Sequence, residues 1–133
     1  MTFTVALLSF AILTMILLAN QIFFTYATQG FGYGWSSNRK SEVSFSPLAK
    51  RISNALDNQV ASAAYIVPVL AVAAIVGLQD PAAQTAALLV IIGRAAFSVL
   101  YYTGIPFVRL LGFLLANLST LFILYSIFTS GLI

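Results

Sequence analysis

Residues 58–79 read NQVASAAYIVPVLAVAAIVGLQ and contain no charged side chain. Asp57 and Asp80 bound this run on either side. A bilayer core about 30 Å thick requires roughly 20 apolar residues of α-helix to cross it. The run is therefore long enough for one complete transmembrane helix, and it predicts that the chain is built for a membrane.

The same kind of run recurs along the whole chain. Of the 133 residues, 61% are hydrophobic and 7% are charged, whereas about a quarter of the residues in soluble domains are charged. Spans are predicted at about residues 4–26, 47–78, 81–103 and 106–129, within a single domain covering residues 1–133. These runs lack the alternation of membrane β-strands. The predicted fold is an all-α integral membrane protein, a four-transmembrane-helix bundle.

The first span is expected to remain as a helix of the mature protein. It has no positively charged segment before it, and its apolar stretch exceeds the roughly 7–15 residues of a signal peptide. The cations mark the cytoplasmic side by the positive-inside rule. They lie in or beside the first and third loops: Arg39, Lys40, Lys50, Arg51 and Arg109. Both termini are therefore predicted to face the opposite side.

The composition restricts the available chemistry. The chain has no Cys and no His, so it lacks thiolate nucleophiles and the commonest metal ligands, and no metal site is expected. The carboxylates are Glu42, Asp57 and Asp80. A proton-coupled drug exporter is disfavoured, because such proteins need a carboxylate inside the membrane and the first span has none.

Arg94 is the most informative polar residue, because it lies inside the third span. It is about 14 Å of helix from the predicted end of that span, and an arginine near the bilayer centre costs about 2.5–3.5 kcal/mol on insertion-derived scales. Ser98 and Tyr101 follow at i+4 and i+7 and share its face. Two interpretations stay open: Arg94 pairs with Asp57 of the second helix, or it binds an anionic ligand.

A second polar stripe begins the second helix. Lys50, Asn54 and Asp57 are spaced i, i+4, i+7 and share one face, while Arg51 and Asn58 belong to an overlapping stripe. Solvated polar groups at the membrane boundary would explain this pattern. Spacing alone favours this explanation, and a ligand-binding face is the alternative.

Four segments of the chain resemble one known family. Residues 93–96 (GRAA) and 100–109 (LYYTGIPFVR) are similar to an Arg-then-Tyr pattern followed by a Gly-Ile-Pro-Tyr-x-Arg turn. Residues 50–58 (KRISNALDN) resemble an R-A-x-x-N-x-x-E-N signature, and residues 33–39 resemble the first loop of the bacterial branch. These are features of the MAPEG family, the membrane-associated proteins of eicosanoid and glutathione metabolism.

The resemblance implies a homotrimer in a bacterial inner membrane, with periplasmic termini and a glutathione site between neighbouring subunits near the cytoplasmic face. Arg109 and Tyr101 would activate the thiol. The implied glutathione-binding residues are Lys50, Arg51, Asn54, Asp57, Arg94 and Ser98. Glutathione is the only cofactor-like molecule expected, and nucleic acid is not an expected partner.

Two functions remain as hypotheses. The first is a membrane-bound glutathione transferase or peroxidase acting on lipophilic electrophiles. The second is a non-catalytic subunit that packs in a larger membrane complex. Departures from the family signature motivate the second: Lys50 and Pro47 stand where arginine is usual, and Asp57 stands where glutamate is usual.

Overall fold

The computed structural model describes residues 1–29 and 47–133, and these residues form four α-helices. Helix α1 spans Phe3–Gln29, α2 spans Pro47–Ile75, α3 spans Pro81–Thr103 and α4 spans Val108–Thr129. Each helix is long and apolar enough to cross a membrane. In these two described ranges the protein is therefore all-helical with four candidate membrane spans, as predicted. The first-loop motif at residues 33–39 lies outside the described residues.

Successive helices run antiparallel, as side-chain contacts at two depths show. Between α1 and α2, Gln21 donates a hydrogen bond to Ser53, and Gln59 donates one to Thr14. Between α2 and α3, the contacts join Arg51 to Tyr102 and Arg94 to Gln59. In each pair the residue number rises on one helix as it falls on the other. The chain therefore passes up and down through the bundle.

The second helix ends earlier than the sequence predicts, at Ile75 rather than at residue 78. Gly77 adopts the left-handed conformation, with a φ of 71°. The amide of Leu78 donates to the carbonyl of Ala73 at 3.0 Å, and that of Gly77 donates to Ala74 at 3.3 Å. This pair of bonds is the Schellman arrangement, which satisfies the last carbonyls of a helix and stops it.

Helix α3 begins with a side-chain cap and ends at a glycine. The carboxylate of Asp80 accepts a hydrogen bond from the Ala82 amide at 3.0 Å, and Pro81 occupies the first turn, where its missing N–H has no partner to lose. At the other end Gly104 has a φ of 75° and donates its N–H to Tyr101. Local residue chemistry thus sets both ends of α3.

The last helix begins at Val108 rather than at residue 106. Phe107 has a φ of 71° and a ψ of −38°, and the Val108 amide donates to the Pro106 carbonyl at 2.9 Å. This i to i+2 bond forms a γ-turn, a conformation that non-glycine residues adopt rarely. The turn redirects the chain before helical hydrogen bonding can start.

The apolar core lies in the half of the bundle that contains both chain termini. It is formed by the start of α1, the end of α2, the start of α3 and the end of α4. Its fully buried members include Ala6, Ile66, Leu70, Ala83, Ala87, Val90 and Ile123. Among the buried polar side chains, Gln59, Arg94 and Ser98 lie at mid-depth or beyond it, whereas Ser126 lies in the same half as this core. The buried side chains in one half of the bundle are therefore mostly apolar. Arg94 is buried at mid-depth, next to that half.

Candidate functional site

Arg94 is completely buried, and its guanidinium is held by amides. Its Nε donates to Oε1 of Gln59 at 3.0 Å, and its Nη2 donates to Oδ1 of Asn58 at 2.9 Å. Its Nη1 has no hydrogen-bond partner among the described residues. The guanidinium also lies 4.7 Å from the centre of the Phe97 ring, a cation–π distance. All of these partners are neutral, so the positive charge is not compensated by them.

Within one chain, the interpretation in which Arg94 pairs with Asp57 is wrong. Asp57 is exposed, and within the described ranges it forms no ion pair with Arg94. Successive residues of an α-helix are rotated by about 100°, so Asp57 and Gln59 point about 200° apart around α2. Because Gln59 faces α3, Asp57 faces away from it.

The sequence interpretation missed Gln59 and Thr14. Gln59 lies at 0% exposure between Arg94 and Thr14, and its Nε2 donates to the Thr14 hydroxyl at 3.1 Å. The sequence did contain a signal for these two residues: each is an uncharged polar side chain at the same membrane depth as the buried arginine. Thr14 lies in an otherwise apolar segment near the middle of α1, and Gln59 directly follows the polar pair Asp57-Asn58 on α2.

Tyr101 and Arg109 are brought together at the other end of the same α3 face. The Arg109 guanidinium lies 4.4 Å from the centre of the Tyr101 ring. The rings of Phe97 and Tyr101 are 5.5 Å apart, centre to centre. Two aromatic rings therefore separate two cations in a continuous row, which we call the α3 row although its last member belongs to α4: Arg94, Phe97, Tyr101 and Arg109. The row extends from mid-membrane to the end of α3.

Ser98 is buried beside Arg94, but its hydroxyl is used within the helix. It donates to the Arg94 carbonyl at 3.1 Å, the usual back-bond of a helical serine. Because its proton is used in this bond, the Ser98 hydroxyl can only accept a hydrogen bond from a ligand.

Comparison with known proteins gives one match. A model of the MAPEG family matches residues 3–129, which is nearly the whole chain. The chain belongs to the MAPEG family. No curated protein and no solved structure matches it.

The residues of this MAPEG chain that match the family signature on α2 fall on two faces of the helix. Asn58, the last of them, accepts a hydrogen bond from Arg94. The other face carries Lys50, Asn54 and Asp57, which are spaced i, i+4, i+7 and are all exposed. Arg51 is half-buried and donates from Nε to the carbonyl of Tyr102 at 3.1 Å, so it caps the end of α3. A single MAPEG chain thus presents two separate polar surfaces, the α2 stripe (Lys50, Asn54, Asp57) and the α3 row.

Proposed function

We propose that this protein binds glutathione or a similar anionic thiol, and that it transfers the thiol to lipophilic electrophiles or uses it to reduce lipid hydroperoxides. The observation that carries the proposal is Arg94. It is a buried cation whose partners among the described residues are all neutral and whose Nη1 has none among them. A charge in this environment is costly without a counter-ion, and an anionic ligand would supply one.

The α3 row fits a ligand with two separated functional groups. Arg94 would bind a carboxylate of glutathione, and Arg109 would lie near the thiol at the other end of the row. A free thiol has a pKa of about 8.5, and a nearby cation lowers it. Arg109 would therefore favour the thiolate, with the hydroxyl of Tyr101 as a hydrogen-bond donor to it.

In the transfer reaction the thiol proton leaves to solvent, and the thiolate sulfur forms a bond to an electrophilic carbon. The leaving group departs with the electron pair of the broken bond. In the reductive reaction the sulfur of a first glutathione attacks one peroxide oxygen, which breaks the O–O bond, releases the alcohol and leaves a sulfenic acid. A second glutathione thiol then attacks this sulfenic acid, which forms the disulfide and releases water. Both reactions need a stabilised thiolate and a lipophilic second substrate, which the bilayer would deliver, and the reduction also consumes a second glutathione.

The separation of the two polar surfaces supports a homotrimeric site. Within one chain, the α2 stripe faces away from Arg94. In a ring of three chains, the stripe of one subunit would meet the α3 row of the next. Asn54 and Asp57 would then bind the ligand amine and backbone, with Lys50 adding positive charge. The positive-inside rule supports a bacterial inner membrane orientation with both termini in the periplasm.

The test is calorimetry of detergent-purified protein with glutathione and with S-hexylglutathione. Wild type should release or absorb heat, and Arg94→Met should bind about tenfold or more weakly, the effect of losing one charge-assisted contact. Gln79→Met is the control, because Gln79 is exposed in the turn between α2 and α3, at the end of the bundle away from Arg109, and it should bind like wild type. Absence of heat with wild type would refute the proposal. A stoichiometric co-purifying protein would then support a non-catalytic subunit.

A further inference from the structure

Gln59 is a buried amide with both of its ends in use. Its Oε1 accepts from Arg94 Nε at 3.0 Å on α3, and its Nε2 donates to Thr14 Oγ1 at 3.1 Å on α1. Thr14 in turn donates its hydroxyl proton to the carbonyl of Phe10 at 2.9 Å. One side chain of α2 thus connects the two neighbouring helices at the depth of the buried cation.

The direction of this chain of hydrogen bonds is fixed by its ends. Arg94 Nε can only donate, so the Gln59 carbonyl must face it and the Gln59 amide nitrogen must face Thr14. The Thr14 oxygen then accepts, and its proton is free for the Phe10 carbonyl. Because every member has one workable role, the amide cannot flip without leaving a buried group unpaired.

The three nitrogens of Arg94 are held differently. Nε is bonded to Gln59, which is 0% exposed. Nη2 is bonded to Asn58, which is partly exposed, and Nη1 has no partner in the described part of the chain. Gln59 therefore holds the Nε edge of the guanidinium. Nη1 is also buried, so a ligand would have to displace Asn58 to contact the terminal nitrogens.

We propose that Gln59, held in place by Thr14, is the positioning residue of the Arg94 anion site. Its amide supplies the geometry of a hydrogen bond without a negative charge, so the cation stays available to a ligand. A carboxylate at this position would make the same hydrogen bond but would neutralise the guanidinium. The identity of the ligand rests on the proposed function; the positioning of Arg94 does not.

Three variants test the proposal. Gln59→Glu keeps the hydrogen bond and adds a charge, and Gln59→Met removes the hydrogen bond at similar volume. Gln79→Met is the matched control, because Gln79 is exposed in the turn between α2 and α3. The first measurement is hydrogen exchange of the Arg94 Nε–H by ¹⁵N NMR of the intact protein in detergent. The second is glutathione affinity by calorimetry.

We expect slow exchange at Arg94 Nε in wild type, Gln59→Glu and Gln79→Met, and exchange at least about tenfold faster in Gln59→Met, since one charge-assisted hydrogen bond is lost. Glutathione affinity should fall in both Gln59 variants and remain in Gln79→Met. A purely structural role for Gln59 would instead leave affinity intact in Gln59→Glu.

Two results would overturn the inference. One is unchanged exchange at Arg94 Nε in Gln59→Met. The other is full glutathione affinity in Gln59→Glu. If wild type does not bind glutathione, the proposed function fails, and the exchange measurement still decides whether Gln59 positions Arg94.

Discussion

At the scale of single residues, arginines of this chain serve different purposes according to their depth. Arg94 is buried with neutral partners at mid-membrane, whereas Arg51 lies at the end of α3 and donates to the Tyr102 carbonyl. A cation at a helix C-terminus interacts favourably with the unpaired carbonyls there. Arg51 thus has a structural role, which the proposed ligand site does not explain.

Replacing Arg51 with Met should destabilise the bundle. The variant loses the hydrogen bond to Tyr102 and the contact of the guanidinium with Gly104, where a Cβ would lie 3.1 Å from Arg51 Cζ. The expected loss is about 1–2 kcal/mol of unfolding free energy, the value of a partly exposed charged hydrogen bond at a helix end. Thermal unfolding in detergent measures it.

Arg51→Lys is the control for charge alone. It keeps the positive charge near the helix end but lacks the Nε–H that reaches Tyr102, so it should recover only part of the loss. Equal stability of Arg51→Met and wild type would show that the cap contributes nothing.

At the scale of helices, α3 and α4 make the most extensive contact in the described part of the bundle. Their backbones approach at two glycines. A Cβ on Gly93 would lie 2.7 Å from the Ala116 nitrogen and from the Gly112 oxygen, and a Cβ on Gly112 would lie 2.7 Å from the Gly93 oxygen. Close approach through small residues is a common way for membrane helices to associate, because lipid provides no hydrophobic force between them.

Gly93→Ala should therefore force α3 and α4 apart. The new methyl meets backbone atoms, which cannot rotate away, and the expected cost is about 1–3 kcal/mol, as for overpacked cores. Because Gly93 precedes Arg94, the variant should also displace the guanidinium and weaken glutathione binding. Unfolding and calorimetry in detergent measure both effects.

Ala19→Val provides the comparison for Gly93→Ala. Ala19 is exposed on α1, so added bulk there meets no helix of the same chain and should leave both measurements unchanged. Wild-type stability of Gly93→Ala would contradict the close packing.

At the scale of the whole molecule, charge predicts how the bundle is oriented. Lys50, Arg51 and Arg109 lie at one end of the helices, and Asp80 lies in a turn at the other end. Cytoplasmic loops of membrane proteins carry the excess of Lys and Arg. The end that contains Lys50 is therefore expected in the cytoplasm.

Single cysteines can test this orientation, because the chain has none of its own. Gln79→Cys and Ser130→Cys should react with a membrane-impermeant maleimide added to intact spheroplasts. Lys50→Cys should react only after the membrane is opened. The reverse pattern would show that the positive end faces outwards.

The proposed trimer makes a further prediction about an exposed polar contact. Tyr65 donates its hydroxyl to Asn117 Oδ1 at 2.8 Å, although Tyr65 is 41% exposed in the single chain and Asn117 lies near mid-membrane. The Asn117 amide nitrogen has no hydrogen bond within the described residues. An uncovered amide in hydrocarbon is costly, so a neighbouring subunit is expected to cover it.

Asn117→Leu should weaken self-association by about 1–2 kcal/mol per contact, the range for interhelical hydrogen bonds in membranes. Native mass spectrometry across a detergent dilution series measures it. Asn20→Leu is the control, since the Asn20 amide already donates to the Tyr102 hydroxyl of the same chain at 3.5 Å, and it should retain the wild-type oligomer. A monomeric wild type would contradict the trimer itself.

The sequence by itself determined the number of membrane-length helices and their family. Both depend on local composition and spacing: bilayer thickness sets the length of an apolar run, and the motifs at residues 93–109 are contiguous in the chain. The same spacing placed Lys50, Asn54 and Asp57 on one face, and all three are exposed there. The end of α2 and the start of α4 were predicted less exactly, by two or three residues. The Schellman and γ-turn hydrogen bonds that set them depend on backbone conformation.

Only the tertiary structure decided which side chains surround Arg94. Asp57 attracts a cation more strongly than Gln59 does, so charge alone favoured the wrong partner. The rotation of α2 about its axis decides the outcome, because it buries Gln59 between Thr14 and Arg94 and exposes Asp57. That rotation is set by packing along the whole of α2, in contacts that are distant in sequence.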